Sequence, residues 1–172
     1  MADPLDAAVL GRLVAARAEA EPDRCCLVLE NGDLPAERLT NAEIAVQSNK
    51  LSHALRSVVL RKGDRAAVML RNHPEFVYAL VACSKPRLAT VPVDPRARGE
   101  KLRYFITSAE CAGVLTADYV VGDETAADVL RTTDARTYAL STPEGGAEGL
   151  APSNEWQSRN EVLDGPERAD TG

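Results

Sequence analysis

The order of apolar and polar positions predicts that the chain opens with a helix and a hairpin. Large apolar residues recur at helical spacing between residues 5 and 20, which predicts an amphipathic helix. Residues 25–30 form a short apolar run, and a turn signal at 31–33 separates it from a second candidate strand over 34–39. Pro35 has no backbone N–H to donate, so we expect this second strand at a sheet edge.

A helix-start signal follows at once. Thr40 and Glu43 form a capping box, in which the hydroxyl accepts from a free helix N–H and the carboxylate reaches back to the N-cap. Leu39 and Ile44 are spaced to form a hydrophobic staple around it. The pattern predicts a helix that runs to about residue 57.

From residue 66 onward, strand-like and helix-like patterns alternate. The predicted strands cover 66–70, 89–93, 113–116 and 136–140, and the predicted helices start near Pro74, Gly99 and Asp123. Alternation of this kind joins parallel strands through helical crossovers. The predicted fold class is therefore α/β, with a β-hairpin plus parallel strands alternating with helices.

The distribution of charge divides the chain in two. Residues 119–172 hold eleven acids and four Lys/Arg, whereas the whole chain has a net charge of −6. Beyond residue 140, Gly, Pro, Ser and acids dominate, and such a segment buries too little apolar surface to offset the entropy of ordering. We predict an α/β subdomain over residues 1–140 and an acidic, disordered tail over 141–172.

Composition excludes several classes of protein. The four cysteines show no Cys-x-x-Cys spacing, so neither a zinc site nor a disulfide framework is indicated, and we expect buried thiols in a reducing cytoplasm. No apolar run reaches ~18 residues, and the N-terminus has no secretory pattern. The basic stretch lacks interleaved aromatics, so nucleic-acid binding is not indicated. We predict a cytoplasmic protein without a membrane span, in which His53 and His73 are surface or capping residues.

Three paired elements occur in an order and spacing typical of one enzyme family. They are LTNAE at 39–43 with SNKLSHAL at 48–55, RKGDRAAVML at 61–70 with NHPEF at 72–76, and VPVDPR at 91–96 with EKL at 100–102. Together they resemble the N-terminal segment of an adenylate-forming, AMP-binding acyl-CoA synthetase. The resemblance implies a partial N-terminal subdomain of that ligase fold.

The resemblance also implies a reaction and its cofactors. The intact family uses ATP and Mg to convert a carboxylate to an acyl-adenylate, which then passes to a thiol such as coenzyme A. Adenylation requires a phosphate-binding loop with a lysine. Residues 143–149 contain glycines but also two acids and no lysine, and all four lysines of the chain lie within residues 1–101. We expect no catalytic or metal-binding residue in this chain, no cofactor bound by it alone, and no activity of the chain alone.

One residue is a candidate for ligand binding. In the acyl-CoA branch of the family, the arginine of the third element contacts a coenzyme A phosphate, and Arg96 matches that arginine. A guanidinium on a rigid turn suits a phosphate. The alternative is an arginine that only solvates the start of the next helix, and this is the commoner role for such a residue.

Two functional hypotheses remain open at this point. The first is a truncated ligase segment, partnered by the remainder of a split enzyme or by a second copy of itself. The second is a non-catalytic binding or interaction module that retains the fold. The nucleotide sequence downstream distinguishes them, because the first hypothesis requires a phosphate loop and a catalytic lysine there.

Two positions depart from the family pattern in the same way. Val59 and Arg87 stand after predicted helices, where the family has glycine. Such C-cap positions often turn through left-handed backbone conformations, which glycine enters freely. We therefore predict backbone strain at both positions, and we expect Pro86 to push Lys85 out of the helical region.

Overall fold

The computed structural model describes residues 10–30, 36–57, 60–140 and 156–158. The helices are α1 (Leu10–Ala20), α2 (Asn41–Ser57), α3 (Pro74–Ser84), α4 (Gly99–Ser108), α5 (Asp118–Val121) and α6 (Glu124–Thr132). The strands are β1 (Cys25–Leu29), β2 (Glu37–Thr40), β3 (Arg65–Val68), β4 (Ala89–Pro92), β5 (Cys111–Ala117), β6 (Arg136–Leu140) and β7 (Trp156–Ser158).

Strands β3 to β7 form one five-stranded sheet in the order β4-β3-β5-β6-β7. The pairs β3–β4, β3–β5 and β5–β6 are parallel, and β7 runs antiparallel to β6. Strands β1 and β2 pair antiparallel in a separate two-stranded sheet. The predicted α/β class, with a hairpin and parallel strands alternating with helices, is confirmed.

Alternate residues of β3 pack into two cores on opposite faces of the sheet, as the twofold period of a strand requires. Ala66 and Val68 belong to a cluster with Leu51 and Leu55 of α2 and with residues of α3. Ala67 belongs to a second cluster on the other face, with residues of α4, α5 and α6. Helices therefore cover both faces of the sheet, which explains why its strands read as continuous apolar runs.

The hairpin packs on α2 and α3 through a smaller cluster. The capping box at its junction with α2 is formed: the Thr40 N–H donates to Glu43 Oε2 at 2.7 Å, and the Glu43 N–H donates to Thr40 Oγ1 at 3.2 Å. Leu39 and Ile44 are 6% and 5% exposed and lie in one cluster with Val81 of α3. The capping box and the hydrophobic staple are thus both confirmed.

The end of α3 confirms one backbone prediction and contradicts another. Arg87 has a φ of 60°, in the left-handed region. The Leu88 N–H donates to Cys83 O at 2.9 Å and the Arg87 N–H to Ser84 O at 3.2 Å, which is the Schellman pairing with Arg87 at C′.

Lys85 stays helical, with φ −68° and ψ −48°, so the expectation that Pro86 expels it was wrong. The proline affects the hydrogen bonding instead. Because Pro86 has no N–H, the carbonyl of Ala82 accepts the Lys85 N–H at 3.4 Å. Val59 lies outside the described residues, and its predicted strain stays a prediction.

The boundary at residue 140 and the predicted disorder of 141–172 stay predictions as well. Most of the predicted tail lies outside the described residues. The three residues of β7 belong to it, however, and they pair with β6 so that Trp156 lies opposite Leu140. Within the described ranges, no helix has the length and apolar character needed to cross a membrane.

Candidate functional site

A solvent-open cleft of about 480 Å³ lies where β3 and β4 end. Ligands of parallel α/β sheets bind outside the carboxyl ends of the strands, so this is the edge where a site is expected. The lining residues come from the segment after β3, from the first turn of α3 and from the segment after β4: Leu70, Arg71, Asn72, Phe76, Asp94, Pro95 and Arg96.

Arg96 lies in this cleft, as required of a ligand-binding residue, but its guanidinium is already paired. Nε and one terminal nitrogen donate to the two oxygens of Asp94 at 3.1 and 2.9 Å. The Arg96 backbone N–H also donates to Asp94 Oδ1 at 2.9 Å, which fixes the carboxylate on the turn. These hydrogen bonds from Arg96 lower the pKa of Asp94 to about 2.

The pair remains open to water, since the Arg96 side chain is 84% exposed. An exposed ion pair contributes little to stability, because water screens it and two side chains must be ordered. An anion that binds Arg96 must therefore compete with the Asp94 carboxylate, but that competition is against a weak interaction. The arrangement fits a phosphate group only if Arg96 exchanges partners.

A second arginine connects the cleft to the neighbouring strand end. The Arg71 backbone N–H donates to the Tyr119 hydroxyl at 2.9 Å, and the Arg71 guanidinium carbon lies 4.7 Å from the centroid of the Tyr119 ring. Tyr119 follows β5, and the order of the sheet reverses between β3 and β5. This contact therefore spans the switch point, which is the usual ligand crevice of such sheets.

His73 begins α3 beside this contact and is buried, at 5% exposure. Its ring lies 6.1 Å from that of Tyr119, and neither ring nitrogen has a hydrogen-bond partner among the described residues. Burial lowers the pKa of His73, and the nearby charge of Arg71 lowers it further. The prediction was a surface or capping histidine, and His73 is buried rather than on the surface. It occupies the N-cap position, although its side chain makes no capping bond. His53 is exposed as predicted.

Glu75, in the first turn of α3, is a second buried polar residue that the sequence did not reveal. It is 6% exposed, and its Oε2 has no partner among the described residues. Burial raises the pKa of Glu75 to about 7, and Glu37 of β2 adds repulsion, whereas a hydrogen bond from the backbone N–H of Glu75 acts in the opposite direction. Proline at the first helical position was the only local signal here, and it marks the helix start rather than burial.

The described residues show no arrangement suited to a metal, since they contain no group of three or more His, Cys, Asp or Glu side chains that could hold one. The cysteines are free thiols. Cys83 and Cys111 are buried as expected, whereas Cys25 is intermediate and Cys26 is exposed on β1.

The fold is that of an α/β protein with a cleft at the carboxyl edge of its parallel sheet, where proteins of this class usually bind their ligands. The family model of the AMP-binding enzyme matches residues 14–170. The chain belongs to the AMP-binding enzyme family, which confirms the resemblance to adenylate-forming enzymes.

Known proteins of this kind share part of their length with the chain. It is 33% identical over 93 residues to acetyl-coenzyme A synthetase of Magnetococcus marinus, covering 53% of the chain and 14% of that synthetase. It is 26% identical over 100 residues to crotonobetaine/carnitine–CoA ligase of Salmonella paratyphi A, covering 58% of the chain and 19% of the ligase.

Among solved structures, VinN in complex with 3-methylaspartate superposes with a TM-score of 0.62 at 26% identity, covering 76% of the chain and 34% of VinN. The chain therefore spans about a third, or less, of the length of each of these three proteins.

Proposed function

We propose that this chain is the N-terminal part of an ATP-dependent acyl-CoA synthetase. In the reaction, a carboxylate oxygen attacks the α-phosphorus of ATP and pyrophosphate leaves. The thiol of coenzyme A then attacks the acyl carbon, and AMP leaves with the oxygen of the mixed anhydride. The match of the family model over residues 14–170 is the observation that carries the proposal.

In this proposal, the described residues supply a scaffold and part of the coenzyme A site. Arg96 binds a phosphate of coenzyme A after its guanidinium leaves Asp94. Asp94 is held on the turn by the Arg96 backbone N–H, so its charge stays next to the phosphate and weakens binding. Coenzyme A supplies the thiol that accepts the acyl group.

The same proposal holds that residues 1–172 do not catalyse adenylation by themselves. No phosphate loop with a lysine occurs in the sequence, and without one the charge that develops on the α-phosphate and the leaving pyrophosphate is not stabilised. The family's adenylating residues then belong to a partner polypeptide or to further sequence. The test is carboxylate-dependent exchange of pyrophosphate into ATP by the purified chain. We expect none above an enzyme-free blank, and exchange that survives repurification contradicts the proposal.

The binding role of Arg96 is tested by titrating the chain with coenzyme A and with dephospho-coenzyme A. Arg96→Gln should weaken coenzyme A binding by about tenfold, the loss expected for one charge-assisted contact. Asp94→Asn should strengthen it, because the competing carboxylate is gone. The control is Arg38→Gln, an exposed arginine on the separate β1–β2 sheet. Equal affinities for the wild type and the Arg96 variant assign Arg96 to turn solvation instead.

A further inference from the structure

The first turn of α3 contains a buried acid in a position that penalises its charged form. Glu75 is only 6% exposed, and its Oε2 has no partner among the described residues. A buried carboxylate with an unpartnered oxygen is costly in such a place, whereas the neutral acid is tolerated. The geometry therefore already favours the protonated form.

The groups that face Glu75 reinforce this preference. Glu37 approaches from β2, Tyr78 lies one turn further along α3, and Tyr119 follows β5. Burial is the largest cause that raises the pKa of Tyr78, and Glu75, Glu37, Glu43 and Cys26 all raise it further. Of these groups, Glu37 repels a charge on Glu75 and the two phenols are neutral, so burial outweighs the favourable hydrogen bond from the backbone N–H of Glu75.

Glu75 also lies on a helix that packs against the hairpin and lines the cleft. Tyr78 and Val81 of α3 pack in one cluster with Leu29 and Leu39 of the hairpin. The next residue along the chain, Phe76, lines the cleft. A change of charge at Glu75 therefore acts on the contact between hairpin and helix and on one wall of the cleft.

We propose that Glu75 is a proton-dependent latch. In its neutral form the first turn of α3 stays packed beside the β1–β2 hairpin, and in its charged form that turn loosens and with it the Phe76 wall of the cleft. The latch does not depend on the adenylation chemistry proposed above.

The sign of the effect on stability follows from linkage. The folded chain holds the Glu75 proton to about pH 7, whereas the ordinary pKa of a glutamate, expected in the unfolded chain, is 4.5. Stability relative to a variant without this acid is therefore greatest below pH 4.5, falls as the pH rises to 7 and is constant above that. His73, whose pKa is lowered by burial, acts with the opposite sign just below pH 6.5. The informative quantity is therefore the difference in stability between the wild type and Glu75→Gln at each pH, rather than the stability of the wild type alone.

The direct test is a ¹³C NMR titration of the side-chain carboxyl carbons in the full chain, with the Glu75 signal assigned by its loss in Glu75→Gln. We expect a midpoint near pH 7, with faster amide exchange in the first turn of α3 above it. Glu37→Gln should lower the midpoint, because it removes the repelling charge. A Glu75 midpoint below pH 5 overturns the proposal.

Thermal unfolding between pH 4.5 and 8 provides the second test. The unfolding midpoint of wild type should fall relative to that of Glu75→Gln by about 5 °C or more across this range. The matched control is Glu100→Gln, since Glu100 takes the equivalent place in the first turn of α4 but has a side chain that is 94% exposed. The unfolding midpoint of Glu100→Gln should change with pH as that of the wild type does. Parallel profiles for wild type and Glu75→Gln contradict the latch.

Discussion

Replacing Arg87 with glycine should stabilise the fold. Arg87 is the C′ residue of the Schellman turn after α3 and has a φ of 60°. A residue with a Cβ pays about 1–2 kcal/mol for left-handed backbone, whereas glycine adopts it freely. Glycine also increases the conformational freedom of the unfolded chain, which offsets part of this stabilisation. The net stabilisation should be about 1 kcal/mol, or about 2–4 °C in the unfolding midpoint of a chain of this size.

The comparison must separate the backbone from the side chain. Arg87→Ala removes the arginine and all its interactions but keeps the Cβ, so the difference between the glycine and alanine variants measures the backbone alone. Glu110 also has a left-handed φ, of 48°, but its side chain pairs with Arg65 at 2.7 Å, and truncation there mixes two effects. At Arg87 the alanine variant serves as the reference, because it lacks the side-chain interactions that the glycine variant also lacks.

The assay is reversible unfolding followed by circular dichroism, by heat and by urea. A glycine variant no more stable than the alanine variant means that the turn carries no left-handed penalty, and the strain argument fails. A rise in the midpoint with an altered urea slope points instead to a change in the unfolded ensemble.

Two further substitutions test local features of the fold. Thr40→Ala should lower stability by about 1 kcal/mol through loss of the N-cap of α2, and Thr40→Ser should restore most of it; an unchanged urea midpoint contradicts the capping role. Gly11→Ala should also destabilise, since its Cβ falls 2.6 Å from Lys85 Cγ and 2.9 Å from Ser84 Oγ. The double variant with Lys85→Ala should recover part of the stability in the same urea assay, because the Ser84 contact remains, and no recovery contradicts the proposed clash with Lys85.

Local chemistry made much of this fold predictable. The capping box at Thr40 and Glu43 works between near neighbours in sequence, and proline at the start of α3 sets its own φ. The parallel order followed from alternating strand and helix patterns. Short elements were missed, however: α5 covers only Asp118–Val121 and β7 only Trp156–Ser158, too few residues for a period to show.

The candidate site was predicted only in part, because burial of polar groups is a long-range property. Arg96 was identified from a motif and does line the cleft. Its partner Asp94 lies only two residues away in the sequence. Nothing in the sequence, however, distinguishes an arginine that forms an ion pair from one that binds a phosphate. His73 and Glu75 read as ordinary polar residues at a helix start, and only the packing of Tyr119 and the hairpin around them shows that they are covered.

Helix α3 thus carries its two unfavourable features at opposite ends. His73 and Glu75 stand at its start, beside the cleft, with the His73 ring nitrogens and Glu75 Oε2 lacking a hydrogen-bond partner among the described residues, and the strained Arg87 follows its end. Helix α3 has eleven residues and is about 16 Å long, a distance at which energetic effects usually add within about 0.5 kcal/mol. Arg87→Gly should therefore raise stability equally at pH 5 and pH 8 and leave the Glu75 midpoint unchanged. If it shifts that midpoint, α3 transmits strain along its whole length, and the latch is a property of the helix rather than of its first turn.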